Sequence, residues 1–299
     1  MTGPSAKPFP SGTPPTPPTV PAERLMAGAC DTHIHILAGM EEAPLSPTRT
    51  EDPAKGFGNA EYLHGYREVM ETLGIERVVV VQSILYGTDN AITLAAIEAL
   101  GRERTRGIAL VTDDVADKHL DALAESGVKG VRLNYVHRGV LSWQGAVAMA
   151  DRLAHRGLHI QMLINADRHM AEIAPDIARL PVPVVFDHIG WPRVVDGVNE
   201  DGFRQLVNLV ASGHAWVKLS GLYRLCDAPY EPTDALVSAL VTANPDYCLW
   251  GSDWPFIMLA DAKSPDAGTL VNAFHRAVPD SETRQKVLVD NALRLYGFR

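Results

Sequence analysis

The chain is short of cysteine, of basic runs and of long apolar stretches, and each shortage closes off a class of protein. Its three cysteines, Cys30, Cys226 and Cys248, form no CxxC pair, and an odd count does not make a disulfide framework. A reducing, cytoplasmic location is therefore expected. Nowhere do about 18 apolar residues run together, and the first residues lack a basic stretch followed by an apolar core, so neither a membrane span nor an export signal is expected. No basic segment interleaves with aromatics and the net charge is -9, which argues against nucleic acid as a partner.

What is present suits one large domain: 299 residues, 46% hydrophobic and 21% charged, can bury a sizeable core. Residues 1–28 stand apart. Prolines crowd this stretch from Pro4 to Pro21, and with so little to bury it reads as an extended Pro-rich arm. Such an arm is either a disordered tail or a strap along the domain or a neighbouring subunit, which leaves a homo-oligomer open.

From residue 29 onward β-rich apolar runs alternate with helical patterns. Strands are expected at 29–37, 77–83, 106–112, 128–135, 158–165, 182–188, 215–220 and 247–252. Helices are expected at 60–73, 89–101, 117–126, 143–156, 168–179, 200–212 and 233–243, with a last one near 281–296. Parallel strands need crossovers and crossovers favour helices, so eight alternations predict a single α/β domain, a (β/α)8 TIM-type barrel over 29–299. Residues 38–59 are too long for a mere connection and read as a lid or wall beside the first strand.

Barrel enzymes keep their chemistry at the carboxyl ends of the strands. In Asp31-Thr32-His33-Ile34-His35 the period of two puts His33 and His35 on one face. The sixth strand runs out at His188 and the eighth at Asp253. Three imidazoles and a carboxylate could bind one divalent ion, zinc or manganese. Without metal, Asp253 could serve as general base toward water while the imidazoles donate to a developing oxyanion. In the fourth strand Val131 and Leu133 face outward and Arg132 and Asn134 inward, and an inward arginine is at home only beside an anion.

Blander readings exist for several of these residues. Asp253 could cap a helix that starts at Trp254-Pro255, His188 could be a satisfied core histidine, and Arg224 could be an exposed loop cation. His64, His119, His137, His155, His169 and His214 fall on helical or loop patterns and are expected at the surface, while Thr88 or Asp89 reads as a helix cap.

Taken together, DTHIH, VVVQSILYGTDN (79–90), GVKGVRLNYV (127–136), DHIGWP (187–192), the Arg224 region, LWGSDWP (249–255) and LVDNALRLYGF (288–298) resemble the amidohydrolase superfamily over residues 29–299. Within it they resemble the branch of 2-pyrone-4,6-dicarboxylate lactonases, with sugar-lactone and sulfomuconolactone hydrolases. The resemblance implies hydrolysis of an acidic small-molecule lactone: a pyrone dicarboxylate, a muconolactone-type compound or a sugar-acid lactone. It implies Asp253 as activator of water, His33, His35 and His188 as polarisers of the carbonyl, and Arg132, Arg224, Asn134, Ser83 and Trp191 as substrate contacts. Metal-dependent relatives carry a further strand-five histidine or a strand-four bridging residue, whereas His159 stands at the wrong end of strand five, so no cofactor is expected. Trp191 stands where the pyrone lactonases have another arginine, and Leu163 replaces a tyrosine. Those departures imply a substrate with fewer carboxylates or a larger apolar or sugar-like face. Two rival classes are a metal-dependent decarboxylase of the same superfamily and a barrel that only binds an acidic small molecule.

Overall fold

A computed structural model describes residues 9–137, 139–259 and 265–299. Eight strands, β1 (Cys30–Ile34), β2 (Arg77–Val81), β3 (Thr105–Ala109), β4 (Val128–Asn134), β5 (His159–Leu163), β6 (Val184–Phe186), β7 (Ala215–Leu219) and β8 (Cys248–Trp250), lie side by side in chain order. Every neighbouring pair is parallel. The ring comes back on itself just beyond β8, where Ile34 bridges Trp254 and the amides of His35 and Asp253 donate to Trp254 O and His33 O at 2.8 Å each. The predicted (β/α)8 barrel is thus the observed fold.

The helices form where the apolar spacing places them. Asn59–Leu73 buries Tyr62, Tyr66, Val69, Met70 and Leu73, one stripe at helical spacing, and stops at Gly74, whose φ of 86° is left-handed and free of cost only for glycine. Asp89 accepts from Ala91 N at 3.1 Å just ahead of Ala91–Leu100, where the N-cap itself is Asn90 and not Thr88 or Asp89 as expected. Two further expectations need correction. The stretch 143–156 is two short helices, Trp143–Ala148 and Ala150–Ala154, and a helix at Ala267–Ala277 was not foreseen. The carboxyl-terminal region is helical from Ser281 to Tyr296, with a wider π turn at Lys286–Asp290. Among the described residues no helix is long and apolar enough to cross a membrane.

The described part of the arm is hydrogen-bonded to the barrel. Thr19 N and Oγ1 donate to Asp266 at 2.7 and 2.5 Å, and Ala22 N donates to Asn272 Oδ1 at 2.8 Å. Further out the arm pairs with the 38–59 segment: Gly12 N donates to Asp52 O at 2.7 Å and Asp52 N to Pro10 O at 2.8 Å. Both segments wall the barrel mouth, so residues 38–59 occupy the position expected of a wall.

Candidate active site

Strand alternation delivers the polar groups to one end of the barrel interior. His33 points inward from β1 and His35 from the residue just after it, and backbone pairing with the turn after β8 sets Asp253 between them: its Oδ1 lies 3.6 Å from both His33 Nε2 and His35 Nε2. His188 completes the set, with Nε2 3.6 Å from Asp253 Oδ2. All four side chains are buried. Asp253 caps no helix, because residues 251–259 are non-helical. Instead it holds a φ of 63°, and His188 and Trp191 hold 53° and 45°. Left-handed backbone at non-glycine residues costs of order 1–3 kcal/mol each and concentrates where side chains must be aimed. Space for these rings is made by glycine: a Cβ on Gly221 would sit 2.6 Å from the His188 ring, and one on Gly251 would sit 2.8 Å from His33 Cβ.

The two oxygens of Asp253 have different surroundings. Oδ2 accepts from Tyr223 OH at 2.6 Å and from Arg224 Nε at 2.8 Å, while Oδ1 has no hydrogen-bond partner. Burial alone would raise this carboxyl, but the Arg224 guanidinium overrides it and holds Asp253 well below the usual carboxylate range. Arg224 is therefore no exposed loop cation. Its side chain is 8% exposed and fixed in the Leu222–Arg224 turn, with Trp191 5.4 Å away beneath its guanidinium.

The imidazoles are neutral at pH 7. Burial pushes His35 and His188 down to about 4 each and His33 well below its ordinary value. His35 Nδ1 lies 2.8 Å from Val81 O, and a carbonyl only accepts, so the single proton of His35 sits on Nδ1 and Nε2 presents a lone pair. This takes His35 out of the donor role expected from the sequence. His33 Nδ1 lies 3.1 Å from Asp187 Oδ1, which makes no hydrogen bond, and 3.5 Å from Lys218 Nζ, so an acceptor and a donor both face it. His188 differs, because its Nδ1 faces the Ser220 hydroxyl at 2.9 Å, which can donate and leave the His188 proton on Nε2.

His33 Nε2, the His35 lone pair and a carboxylate oxygen thus face one another across distances too long for hydrogen bonds. His33, His35 and Asp253 offer ligand atoms all within 4.8 Å of one another. Ligand atoms about 2.1 Å from one tetrahedral zinc stand roughly 3.4 Å apart, so this spacing fits a divalent ion. The outer hydrogen bond of His35, to Val81 O, is of the kind that orients metal-ligating histidines. His159, at the first position of β5, lies against Tyr296 with its centroid 5.5 Å away and takes no part.

A second buried layer supports the first. Asp187 Oδ2 accepts from Arg132 Nε at 3.1 Å and Gln161 Nε2 at 3.2 Å, and Lys218 Nζ donates to Thr32 O and Gln161 Oε1 at 2.7 Å each. Burial lowers Lys218 to about 8, with Asp187 acting against that, so the ammonium is still charged at neutral pH. Across both layers two guanidiniums and one ammonium stand beside two carboxylates, so cationic donors are at hand for an acidic ligand.

The cleft above is lined on its polar side by His35, Arg132, Asn134, His137, His188 and Arg224, and on its apolar side by Leu163 and Ile257 among others. Sequence-predicted Arg132, Asn134 and Arg224 therefore meet there, with Trp191 flanking Arg224. Ser83 does not line it: its Oγ accepts from Leu85 N at 3.3 Å and caps a turn. His137 corrects the surface assignment. It is half-buried, its ring 6.1 Å from Trp191, and burial lowers it to about 4. His64, His119, His155 and His214 are exposed as expected, and His169 is half-buried. Asp187, Lys218, Gln161 and Tyr223 were overlooked as well. Lys218 left a signal, since it falls on the inward face of an otherwise apolar strand.

The profile of the Amidohydrolase family matches residues 30–298. A 2-pyrone-4,6-dicarboxylate hydrolase of Comamonas testosteroni is 33% identical over 93% of each chain. A 4-sulfomuconolactone hydrolase of Rhizobium radiobacter is 34% identical over 90% of each. Among solved structures, a putative 2-pyrone-4,6-dicarboxylic acid hydrolase from Pseudomonas putida superimposes with a TM-score of 0.73 at 27% identity, covering 92% of this chain and 99% of the other.

Proposed function

Because the chain belongs to the amidohydrolase family, we propose that it hydrolyses the cyclic ester of an acidic small molecule. The observation that carries this reading is Asp253 Oδ1, a buried carboxylate oxygen with no hydrogen-bond partner, ringed by imidazoles beneath a cleft that also holds two arginines. Relatives whose names denote hydrolases of a pyrone dicarboxylate and a sulfomuconolactone support it.

Arg132 and Arg224 take the substrate carboxylate, for which a guanidinium offers a two-pronged donor. Asp253 Oδ1 accepts a proton from water as the water oxygen bonds to the lactone carbonyl carbon. His188 Nε2–H stabilises the oxyanion that develops. When the ring C–O bond breaks, the proton held on Asp253 passes to the departing ring oxygen. Arg224 has a second effect: while it holds Oδ2 it keeps Asp253 a weak base. A substrate carboxylate that competes for the guanidinium raises that basicity as the substrate arrives. If a divalent ion such as zinc or manganese binds, His33, His35 and Asp253 would hold it, with His188 adjacent, and it would supply Lewis acidity and a more acidic water.

The test is a hydrolysis screen across pyrone, muconolactone and aldonolactone panels, with zinc and manganese content measured on the same sample. Ring opening of at least one carboxylated lactone by the wild type, lost in Asp253→Asn, is the expected result. Release of carbon dioxide from carboxylated substrates with no lactone opened would establish the decarboxylase reading instead. Ligand binding with neither reaction would leave a binding protein.

A further inference from the structure

The catalytic cleft has an outer neighbour. A cavity of about 230 Å³ shares His137, Ile257 and Met258 with it and opens toward the arm and the 38–59 wall. Its polar side carries Ser11 and Thr13 from the arm and Thr50 and Glu51 from the wall, while Leu37 and Phe256 face them. Backbone hydrogen bonds between Pro10, Gly12 and Asp52 fasten the two polar segments together, so these side chains belong to one built surface.

Glu51 is the unusual member. It is 8% exposed, and only its Oε1 is engaged, accepting from Met258 N at 2.8 Å. Glu51 lines the cavity with its second oxygen left to accept, and Arg224 lies close enough for the two charges to act on each other. A buried carboxylate beside an arginine-lined cleft rewards hydroxyl donors and opposes further carboxylates, because like charges brought together at a desolvated site are strongly unfavourable.

We propose that the outer cavity is a substrate compartment for the neutral, hydroxyl-bearing part of a lactone that carries a single carboxylate, with Glu51 as its selector. The inference rests on the lactone-hydrolase reading. The carboxylate is held by the arginines of the inner cleft, and the hydroxyls reach outward to Glu51 and to Thr50, Ser11 and Thr13. A second carboxylate at the far end of the substrate meets Glu51 and is rejected. The short Pro-rich arm thereby acquires a role in specificity, since it supplies one wall of the compartment.

Binding to the full chain tests this without relying on turnover. Calorimetric titrations with D-gluconate, D-glucarate and hexanoate compare a hydroxylated monoacid, a hydroxylated diacid and a monoacid without hydroxyls. Wild type should bind gluconate about tenfold or more tighter than either of the others, a difference of roughly 1.4 kcal/mol or more. Glu51→Gln, which keeps the acceptor for Met258 N, should bring glucarate up to the level of gluconate. Thr50→Val should weaken gluconate while leaving hexanoate unchanged, and it serves if Glu51→Gln fails to fold. Equal wild-type affinity for gluconate and glucarate, or an unchanged ratio in Glu51→Gln, overturns the proposal. Selective binding in a protein that opens no lactone would sink the hydrolase reading and leave the compartment standing.

Discussion

Two buried carboxylates flank the seam where β8 returns to β1, and their surroundings have opposite effects on them. Asp31 takes hydrogen bonds from Ser252 N at 2.9 Å, Ser252 Oγ at 2.5 Å and Tyr66 OH at 3.2 Å, all neutral donors. Burial nevertheless raises its carboxyl from 3.8 to about 6. Asp253 is just as deeply buried, yet a guanidinium holds it well below the ordinary range. Hydrogen bonds from neutral groups fix a carboxyl in place without making its charge comfortable, whereas a buried cation does both. Asp31 therefore clasps two strands, and Asp253 is kept ionised for chemistry.

The sharpest way to break this comparison is to neutralise each acid in turn. Asp253→Asn should lower turnover by at least the roughly 10²–10⁴-fold typical of general-base catalysis, in protein that remains folded by circular dichroism. Asp31→Asn should keep turnover within about tenfold of wild type, because its carboxyl never meets the substrate in the mechanism proposed. Equal losses in the two variants would erase the distinction.

Arg224→Met removes the cation responsible for the contrast. Loss of one partner from a charge-assisted pair at a desolvated site costs about 2–5 kcal/mol, which is roughly 30- to several-thousand-fold. The KM for carboxylated lactones should rise accordingly, and that for neutral lactones much less. An equal rise for both would make the arginine structural. The same variant has a pH signature. Without the guanidinium Asp253 rises toward the value that burial favours, and a base must be ionised to act, so the acidic limb of kcat/KM should move to higher pH. An unmoved limb would show that Asp253 is not the group titrating there.

Alternation and spacing made the inner layer legible. His33 and His35 share a face because strands have a period of two, and the turn after β8 announced Asp253 through its position in the chain. The supporting layer was harder to read, because its contacts have no local signature: Lys218 finds its partners on residues 32 and 161, and Asp187 is held by Arg132 from another strand. His137 looked like a loop histidine until the fold brought Trp191 and the cleft beside it. The helix at Ala267–Ala277 was obscured by Gly268 near its start, a poor helix former in isolation. Tertiary packing explains the choice: a Cβ there would sit 2.1 Å from Thr19 O of the arm. The arm dictates a glycine that the helix itself would not select.

The smallest predicted effect is also the most direct reading of the comparison, because it needs no substrate. Asp31 titrates at about 6 in the folded protein against 3.8 as the ordinary value. A raised folded-state pKa means that the native chain holds this proton after the unfolded chain has released it. The contribution to stability is therefore fully present below about pH 4, declines as pH rises and is gone above about pH 6, a total of roughly 3 kcal/mol at about 1.4 kcal/mol per unit. Asp31→Asn cannot titrate, so the difference in unfolding free energy between variant and wild type should change by about that amount across this window and stay level above it. Urea unfolding at half-unit steps from pH 4 to 7 measures it. Asp253 is present in both proteins, so whatever slope it gives near pH 4 cancels from the difference. A difference that is flat from pH 4 to 7 would mean that the neutral hydrogen bonds at Asp31 suffice to keep it ionised, and the contrast between the two acids would then rest on the cleft alone.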